Sequence, residues 1–327
     1  MDENLQNKDP EKDPEHMDDK DQDEHQIDYS NKLNPLISPL AAAFIGLLGG
    51  LFLYQIVGGV LTVLVFGLNL DNAPVNGMRL MTMASQVLFI LLPALMFSKW
   101  FYEDVTTVIR FKPAKWKEIG LFVIGIIVLT PLLQNFEVIQ NYFITKLAAS
   151  SGTFNSVKSV FDSLNDKVES MYSTLLAAHS VPEGFLVILV VAAVPAVCEE
   201  VMFRGFIQKS FELKFKPYLA ILVTSIFFGL YHLNPYGLIP LVALGFYFGF
   251  AVYISDSIFT SMSLHFLNNF VAIITFFIAG NQEVTSTSAE SAADLKSSII
   301  IFVSLLVIFV GVIYMILKYY KDKKSYA

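Results

Sequence analysis

The sequence has one cysteine, Cys198, among its 327 residues, and only 16% of its residues are charged. A single cysteine excludes an internal disulfide framework and any cysteine-based zinc site. Soluble domains usually carry roughly 25% charged residues, whereas here charge is scarce and 54% of the residues are hydrophobic. Apolar runs of about 20 residues, the length that crosses a bilayer, recur along the chain. The composition therefore predicts an integral membrane protein.

The chain also lacks a basic patch of the kind that binds nucleic acid. Its net charge of -7 is uneven, because residues 1–34 contain twelve Asp or Glu and four Lys, a net charge of -8. The remainder is therefore close to +1. This acidic segment has almost no large apolar residues, and such a composition is typical of disorder. We interpret residues 1–34 as a disordered acidic cytoplasmic tail.

The hydrophobic runs predict an all-α fold, a polytopic membrane helix bundle of about eight transmembrane helices with the catalytic core in helices four to seven. Between the third and fourth runs, apolar residues recur at three- and four-residue steps from Phe154 to Leu175, a pattern typical of an amphipathic helix. The predicted order is transmembrane helices one to three at 35–144, an extracytoplasmic amphipathic helix at 145–182, the core at 183–280, and the last transmembrane helix with a basic cytoplasmic end at 281–327.

Basic residues in the loops predict the orientation of the bundle. Five lie in the segment 99–117, four in 204–216 and four in 318–324. Cytoplasmic loops carry an excess of Lys and Arg, and with eight spans all three segments fall on one side. We therefore expect a multi-pass protein of a prokaryotic plasma membrane, with both termini in the cytoplasm.

Two adjacent carboxylates follow the fourth apolar run directly. Glu199 and Glu200 are succeeded by Arg204, which is four residues beyond Glu200 and so shares its helix face. Ionisable side chains are costly in a membrane and are usually retained for function. An interfacial ion pair would explain Glu200 and Arg204, but it would leave Glu199 without a local partner.

Two histidines lie in the neighbouring spans. His232 ends the fifth, one turn after Phe228, and His265 lies one turn before Asn269 in the seventh. Each has a structural alternative, as a helix-end histidine or as an interhelical polar clamp. Together these residues also contain what peptide hydrolysis needs: a Glu and a His to activate water, and a His and an amide to stabilise an oxyanion. Alternatively, two His and a Glu could bind zinc.

Three short motifs occur in order along these spans. They are E-E-x-x-x-R from Glu199 to Arg204, F-x-x-x-H from Phe228 to His232, and H-x-x-x-N from His265 to Asn269. Each is weak alone, but their order within membrane spans resembles the CPBP family, the CAAX proteases and bacteriocin-processing enzymes also called Abi proteins. The resemblance covers roughly residues 182–280.

This resemblance implies an intramembrane endopeptidase, either a metalloenzyme or a metal-free glutamate enzyme. Its partners would be the lipid bilayer and a membrane protein, lipidated or peptide substrate. The implied catalytic residues are Glu199 and His232 to activate water, Glu200 with supporting Arg204 and Phe228 to shape the site, and His265 and Asn269 to stabilise the oxyanion. If zinc is the cofactor, its ligands would be Glu199, His232 and His265. A proton-coupled transporter and a non-catalytic immunity or scaffold protein are the alternatives.

The two histidines raise a geometric difficulty. At about 1.5 Å rise per residue, straight helices would place His232 about twice as far as His265 from the cytoplasmic ends of their spans. We therefore expect tilt, a break near Gly229, or a seventh span that begins deeper in the membrane. Side chains more than about 12 Å apart could share neither a water nor a metal.

Overall fold

The computed structural model describes residue 33 and residues 35–279 and 292–325, and these residues form an all-helical bundle. Apart from Leu33, the predicted tail at 1–34 lies outside the described residues, as do residues 280–291 between the last two helices. The main helices, numbered in chain order, are α1 Pro39–Phe66, α2 Val75–Tyr102, α3 Trp116–Ser150, α4 Gly152–Leu176, α5 Val181–Glu212, α6 Pro217–Tyr231, α7 Leu238–Ser255, α8 Ile258–Ala279 and α9 Ala292–Ser325.

Seven of these helices are long and apolar enough to cross a membrane, which confirms the predicted polytopic helical bundle. The remaining predicted span, the fifth, is α6, which has only 15 residues. At about 1.5 Å per residue it is shorter than the roughly 30 Å hydrocarbon layer. The amphipathic segment is the separate helix α4, and α3 runs six residues past the predicted boundary, to Ser150.

Helix α5 is the centre of the bundle, because half of its most apolar window is buried, compared with 11% for α9. It is not a uniform α-helix. Two π-helical stretches, Ile188–Ala193 and Val201–Ile207, flank an α-helical turn that ends at Glu200. Single π-turns inside helices are rare and are frequently found at functional sites. Both predicted glutamates therefore lie where the hydrogen-bond register of α5 changes.

A second group of helices packs beside α5. Buried side chains of α3, α7, α8 and α9 form one hydrophobic cluster that includes Phe122, Phe248 and Ile316. Within it, the Tyr247 hydroxyl donates a hydrogen bond to the Phe122 carbonyl at 2.7 Å. A β-carbon at Gly125 would lie 1.9 Å from that hydroxyl, so α3 needs glycine there for α7 to approach.

The segment between α2 and α3 determines where α8 begins. Arg110 is buried, and its carbonyl accepts a hydrogen bond from the Ile258 amide at 3.1 Å. The preceding residue, Ile109, packs on Gly205 of α5, where a β-carbon would come within 3.1 Å of the Ile109 Cα. The Arg110 side chain also pairs with Glu212 at the end of α5 and with Asp256 just before α8. This segment therefore fixes the start of α8 beside the last turns of α5.

This segment contains an exposed helix cap that should respond to acid. The Asp104 carboxylate accepts hydrogen bonds from the Thr107 hydroxyl, the Thr107 amide and the Thr106 hydroxyl, which lower its pKa from 3.8 to about 2. A carboxylate whose pKa is lower in the folded state than in the unfolded state stabilises the fold at pH values above the unfolded-state pKa. That stability is lost as pH falls from about 4 to about 2.

We expect Asp104→Ala to lower the free energy of unfolding by about 1 kcal/mol or less, because the carboxylate is exposed to solvent. Thermal unfolding in detergent at neutral pH and at pH 2 measures the difference. The destabilisation should shrink at the lower pH, and a constant difference would contradict the assignment.

Candidate active site

Glu200 is the junction of a buried charge cluster. Its side chain is fully buried, and its Oε1 accepts a hydrogen bond from Arg204 Nη1 at 3.0 Å. The same oxygen lies 2.8 Å from His265 Nδ1. An ionised carboxylate can only accept a hydrogen bond, so the proton of His265 is on Nδ1. The other ring nitrogen, Nε2, takes no part in this bond. The predicted pair of Glu200 and Arg204 is therefore extended by a histidine from α8.

The ring of Phe228 packs against both histidines. Its ring centroid lies 4.8 Å from that of His232 and 6.0 Å from that of His265. The two imidazoles cannot be farther apart than the sum of these distances, which is below the limit of about 12 Å for a shared site. The guanidinium of Arg204 lies 4.1 Å from the centre of the same ring. A cation over an aromatic face is attracted by its electrons, so Phe228 contacts three of the predicted site residues.

The end of α6 and the start of α8 position the two histidines. Helix α6 passes Gly229 unbroken and ends at Tyr231, with His232 as its C-cap. Leu233 then has a φ of 51°, a conformation that terminates the helix. On the other side, α8 begins against Arg110. The predicted break near Gly229 is therefore wrong, whereas tilt and a deeper start of the seventh span stay predictions.

Glu199 lies beside this cluster and lines a cavity. Its Oε2 is buried and has no hydrogen-bond partner in the described part of the chain. It lines a cavity of about 1050 Å³ that also reaches His232, His265 and Asn269. Buried polar atoms are nearly always paired, so an unpaired carboxylate oxygen requires an explanation. It is placed to receive a hydrogen bond from a molecule inside the cavity.

His232 has a defined tautomer. Its Nδ1 lies 2.8 Å from the Phe228 carbonyl, which can only accept, so the proton is on Nδ1. Nε2 is then the basic nitrogen of the neutral ring. The side chain is half-buried and lines the same cavity as Glu199. A carboxylate and a basic imidazole therefore share one cavity.

Asn269 connects α8 to the first π-helical stretch of α5. Its Nδ2 donates a hydrogen bond to the Val191 carbonyl at 2.9 Å, and its Oδ1 accepts one from Asn268 at 3.2 Å. The Thr130 hydroxyl of α3 donates in turn to Asn268 at 3.2 Å. One N–H of the Asn269 amide is left, and this residue also lines the cavity.

We expect Asn269→Ala to destabilise the protein by about 1–3 kcal/mol, because the Val191 carbonyl would lose its side-chain donor within the bundle. Activity should fall further than the folded fraction. Thr275→Val is the matched control, since Thr275 lies on the same helix, is exposed and bonds only within α8. Urea unfolding in detergent checks the stability, and equal effects of the two substitutions would contradict this role.

Three of the cavity residues that were not predicted from the sequence bear on the site. Tyr54 of α1 and Tyr172 of α4 line the cavity within electrostatic range of Glu199. Glu137 of α3 lines it too, together with a smaller cavity of about 270 Å³ that it shares with His232. Polar residues inside apolar runs were the available signal for Tyr54 and Glu137. No such signal marked Tyr172, because it lies on a mostly polar helix.

No group of three or more His, Cys, Asp or Glu residues within the described ranges is arranged to hold a metal ion. Zinc binding by Glu199, His232 and His265 stays a prediction.

These features define a polytopic helical membrane protein with a buried Glu–Arg–His cluster and an unpaired glutamate facing a large cavity. Residues 181–271 match the family model of the Rce1-like type II CAAX prenyl endopeptidases. The resemblance drawn from the three motifs is thereby confirmed over these residues, and it supports an intramembrane CAAX endopeptidase in general. Neither the curated proteins nor the solved structures contain a match to this chain.

Proposed function

We propose that this protein hydrolyses peptide bonds of membrane-associated proteins or peptides with a water molecule activated by Glu199 and His232. The buried, unpaired Oε2 of Glu199 is the observation that carries the proposal. It lies in a cavity that is large enough for an extended peptide segment and is also lined by two histidines. The protease family match over residues 181–271 supports the same reaction class.

In this mechanism, the Glu199 carboxylate takes one proton from water while Nε2 of His232 accepts a hydrogen bond from that water. The water oxygen attacks the peptide carbonyl carbon and gives a tetrahedral oxyanion. The remaining N–H of Asn269 stabilises that oxyanion, as does His265 when its Nε2 is protonated. Collapse of the intermediate breaks the C–N bond, and protonated Glu199 returns its proton to the leaving amine.

Glu200, Arg204 and Phe228 have a positioning role in this proposal. Glu200 fixes the ring of His265, while Arg204 balances the buried charge of Glu200. Arg204 also donates to the Gly245 carbonyl at 3.2 Å, which connects the cluster to α7. The predicted zinc is an alternative for the same cavity, and elemental analysis of the purified protein with chelator treatment tests it directly.

The orientation also belongs to the proposal. The cavity is bordered by α4, the helix predicted to be extracytoplasmic, whereas the predicted cytoplasmic loops include Arg110 and the end of α5. We assign the protein to the plasma membrane with the cavity opening on the side of α4. Accessibility of single cysteines on α4 to an impermeant thiol reagent tests this orientation.

The function itself is tested by comparing membrane proteomes of cells that carry the wild type or Glu199→Ala. Substrates that the wild type cleaves should accumulate uncleaved in the variant. The new termini that cleavage creates on membrane-associated proteins should be missing from it. Identical proteomes, with both proteins present at equal level, would contradict the proposal. Proton-coupled uptake by proteoliposomes without cleavage would favour the transporter alternative.

A further inference from the structure

The cavity that contains Glu199 has an unequal balance of charge. Beyond the predicted site residues, its lining includes three carboxylates, Glu137, Asp162 and Glu169. Lys158 is the one Lys or Arg among the described residues that line it. The part of the cavity between α3 and α4 is therefore acidic.

The charge of this one lysine is already paired. Lys158 Nζ lies 2.9 and 2.8 Å from the two oxygens of Asp162 on the next turn of α4. Asp162 also accepts a hydrogen bond from the Tyr236 hydroxyl at 2.6 Å, which ties α4 to the loop after α6. These two residues thus neutralise each other and connect two elements, and they leave Glu137 and Glu169 as the uncompensated charges.

Glu137 of α3 and Glu169 of α4 both line this region. Glu169 accepts a hydrogen bond from Asn165 at 2.7 Å, a neutral donor that leaves its charge unbalanced. Glu169 is also a like charge within electrostatic range of Glu137. Two like charges in a partly buried site disfavour each other, and a cation between them would relieve that cost. Glu137 also contributes to the smaller cavity beside His232, which places this acidic region next to the site.

We propose that the cavity selects a peptide segment with a Lys or Arg side chain near the bond to be cut, with Glu137 and Glu169 as the residues that determine specificity. The same carboxylates would repel an acidic segment close to that bond. The inference rests on the proposed function, because it assigns a substrate class to the same cavity. It extends the site beyond residues 181–271 to α3 and α4.

The test uses the purified full chain in proteoliposomes with quenched fluorogenic peptides. Each peptide keeps one apolar segment and carries Lys, Gln or Glu at successive positions around it. At the best position we expect kcat/KM for the Lys peptide to exceed that for the Glu peptide by roughly tenfold, a preference that declines with added salt. The double variant Glu137→Gln, Glu169→Gln should reduce this ratio to about twofold.

Asp166→Asn is the matched control, because Asp166 is an exposed residue of α4 that does not line the cavity. It changes the net charge of the same helix and should leave the Lys-to-Glu ratio unchanged. Equal cleavage of all three peptides by the wild type, or a ratio that survives in the double variant, would overturn the inference.

Binding to a Glu199→Gln variant, followed by fluorescence anisotropy, separates this inference from the proposed function. If the wild type cleaves nothing while the Glu199→Gln protein still binds the Lys peptide more tightly, the specificity stands and the hydrolytic function fails. If cleavage occurs without any charge preference, the function stands and the specificity fails.

Discussion

Glu199→Gln should reduce peptide cleavage by about 10²–10⁴-fold, the range expected when a general base is removed. Gln has nearly the volume of Glu, so packing is retained while the proton acceptor is lost. In the structure, the affected oxygen has no hydrogen-bond partner among the described residues. The substitution therefore removes no hydrogen bond of that oxygen, and stability should change less than when the buried Glu200–Arg204 pair is broken.

The measurement is kcat and KM for one fluorogenic peptide in proteoliposomes, together with thermal unfolding of the same preparations. We expect the loss to fall on kcat, since the interaction is made in the transition state. Cys198→Ser is the matched control, because Cys198 is the neighbouring buried residue and has no role in the mechanism. A Glu199→Gln protein that cleaves at the wild-type rate would rule out Glu199 as the base.

Local spacing explains which parts of this site could be predicted from the sequence. Glu200 and Arg204 are four residues apart, and helix geometry alone predicts that they pair. The hydrophobic runs identified the seven long helices for the same reason, since length and apolarity are local properties. The approach of His265 to Glu200 is a contact across 65 residues, and it was expected only through the resemblance of the motifs.

Other features depend on contacts that no local pattern encodes. The first residue of α8 is bonded to the Arg110 carbonyl, which the sequence places in an ordinary basic loop. The π-helical stretches of α5 change the hydrogen-bond register of the backbone. Hydropathy is the same in the α-helical and π-helical registers, so it does not reveal this change. Tyr172 and Glu137 come from helices outside the motifs, and only the packing of α3 and α4 against the core brings them to the cavity.

Glu200 and Arg204 should show the opposite behaviour to Glu199. Both side chains are fully buried, and their ion pair measures 3.0 Å. Removing one partner of a buried pair leaves an uncompensated charge and typically costs about 3–5 kcal/mol. We therefore expect Glu200→Ala and Arg204→Met each to lower the yield of folded protein and its unfolding temperature, and to abolish cleavage as well.

The double variant Glu200→Ala, Arg204→Met distinguishes a positioning role from a purely structural one. Because it removes both charges, it should be more stable than Arg204→Met or Glu200→Ala alone, and the double-mutant cycle should give a coupling energy of about 1–3 kcal/mol. Activity should not return with stability, since His265 has lost the carboxylate that fixes its Nδ1 proton. A double variant that regains cleavage would contradict this role of Glu200.

Lys112→Ala is the control for the general effect of losing a charge. Lys112 pairs with Asp256 at an exposed position, with 57% of its side chain accessible. Exposed pairs contribute about 0–1 kcal/mol, so this variant should unfold close to the wild type and keep its activity. If Lys112→Ala were as damaging as Arg204→Met, the stability of the bundle would depend on total charge. We expect it to depend instead on the buried cluster, in which one carboxylate balances Arg204 and orients His265 while its neighbour Glu199 is left free for water.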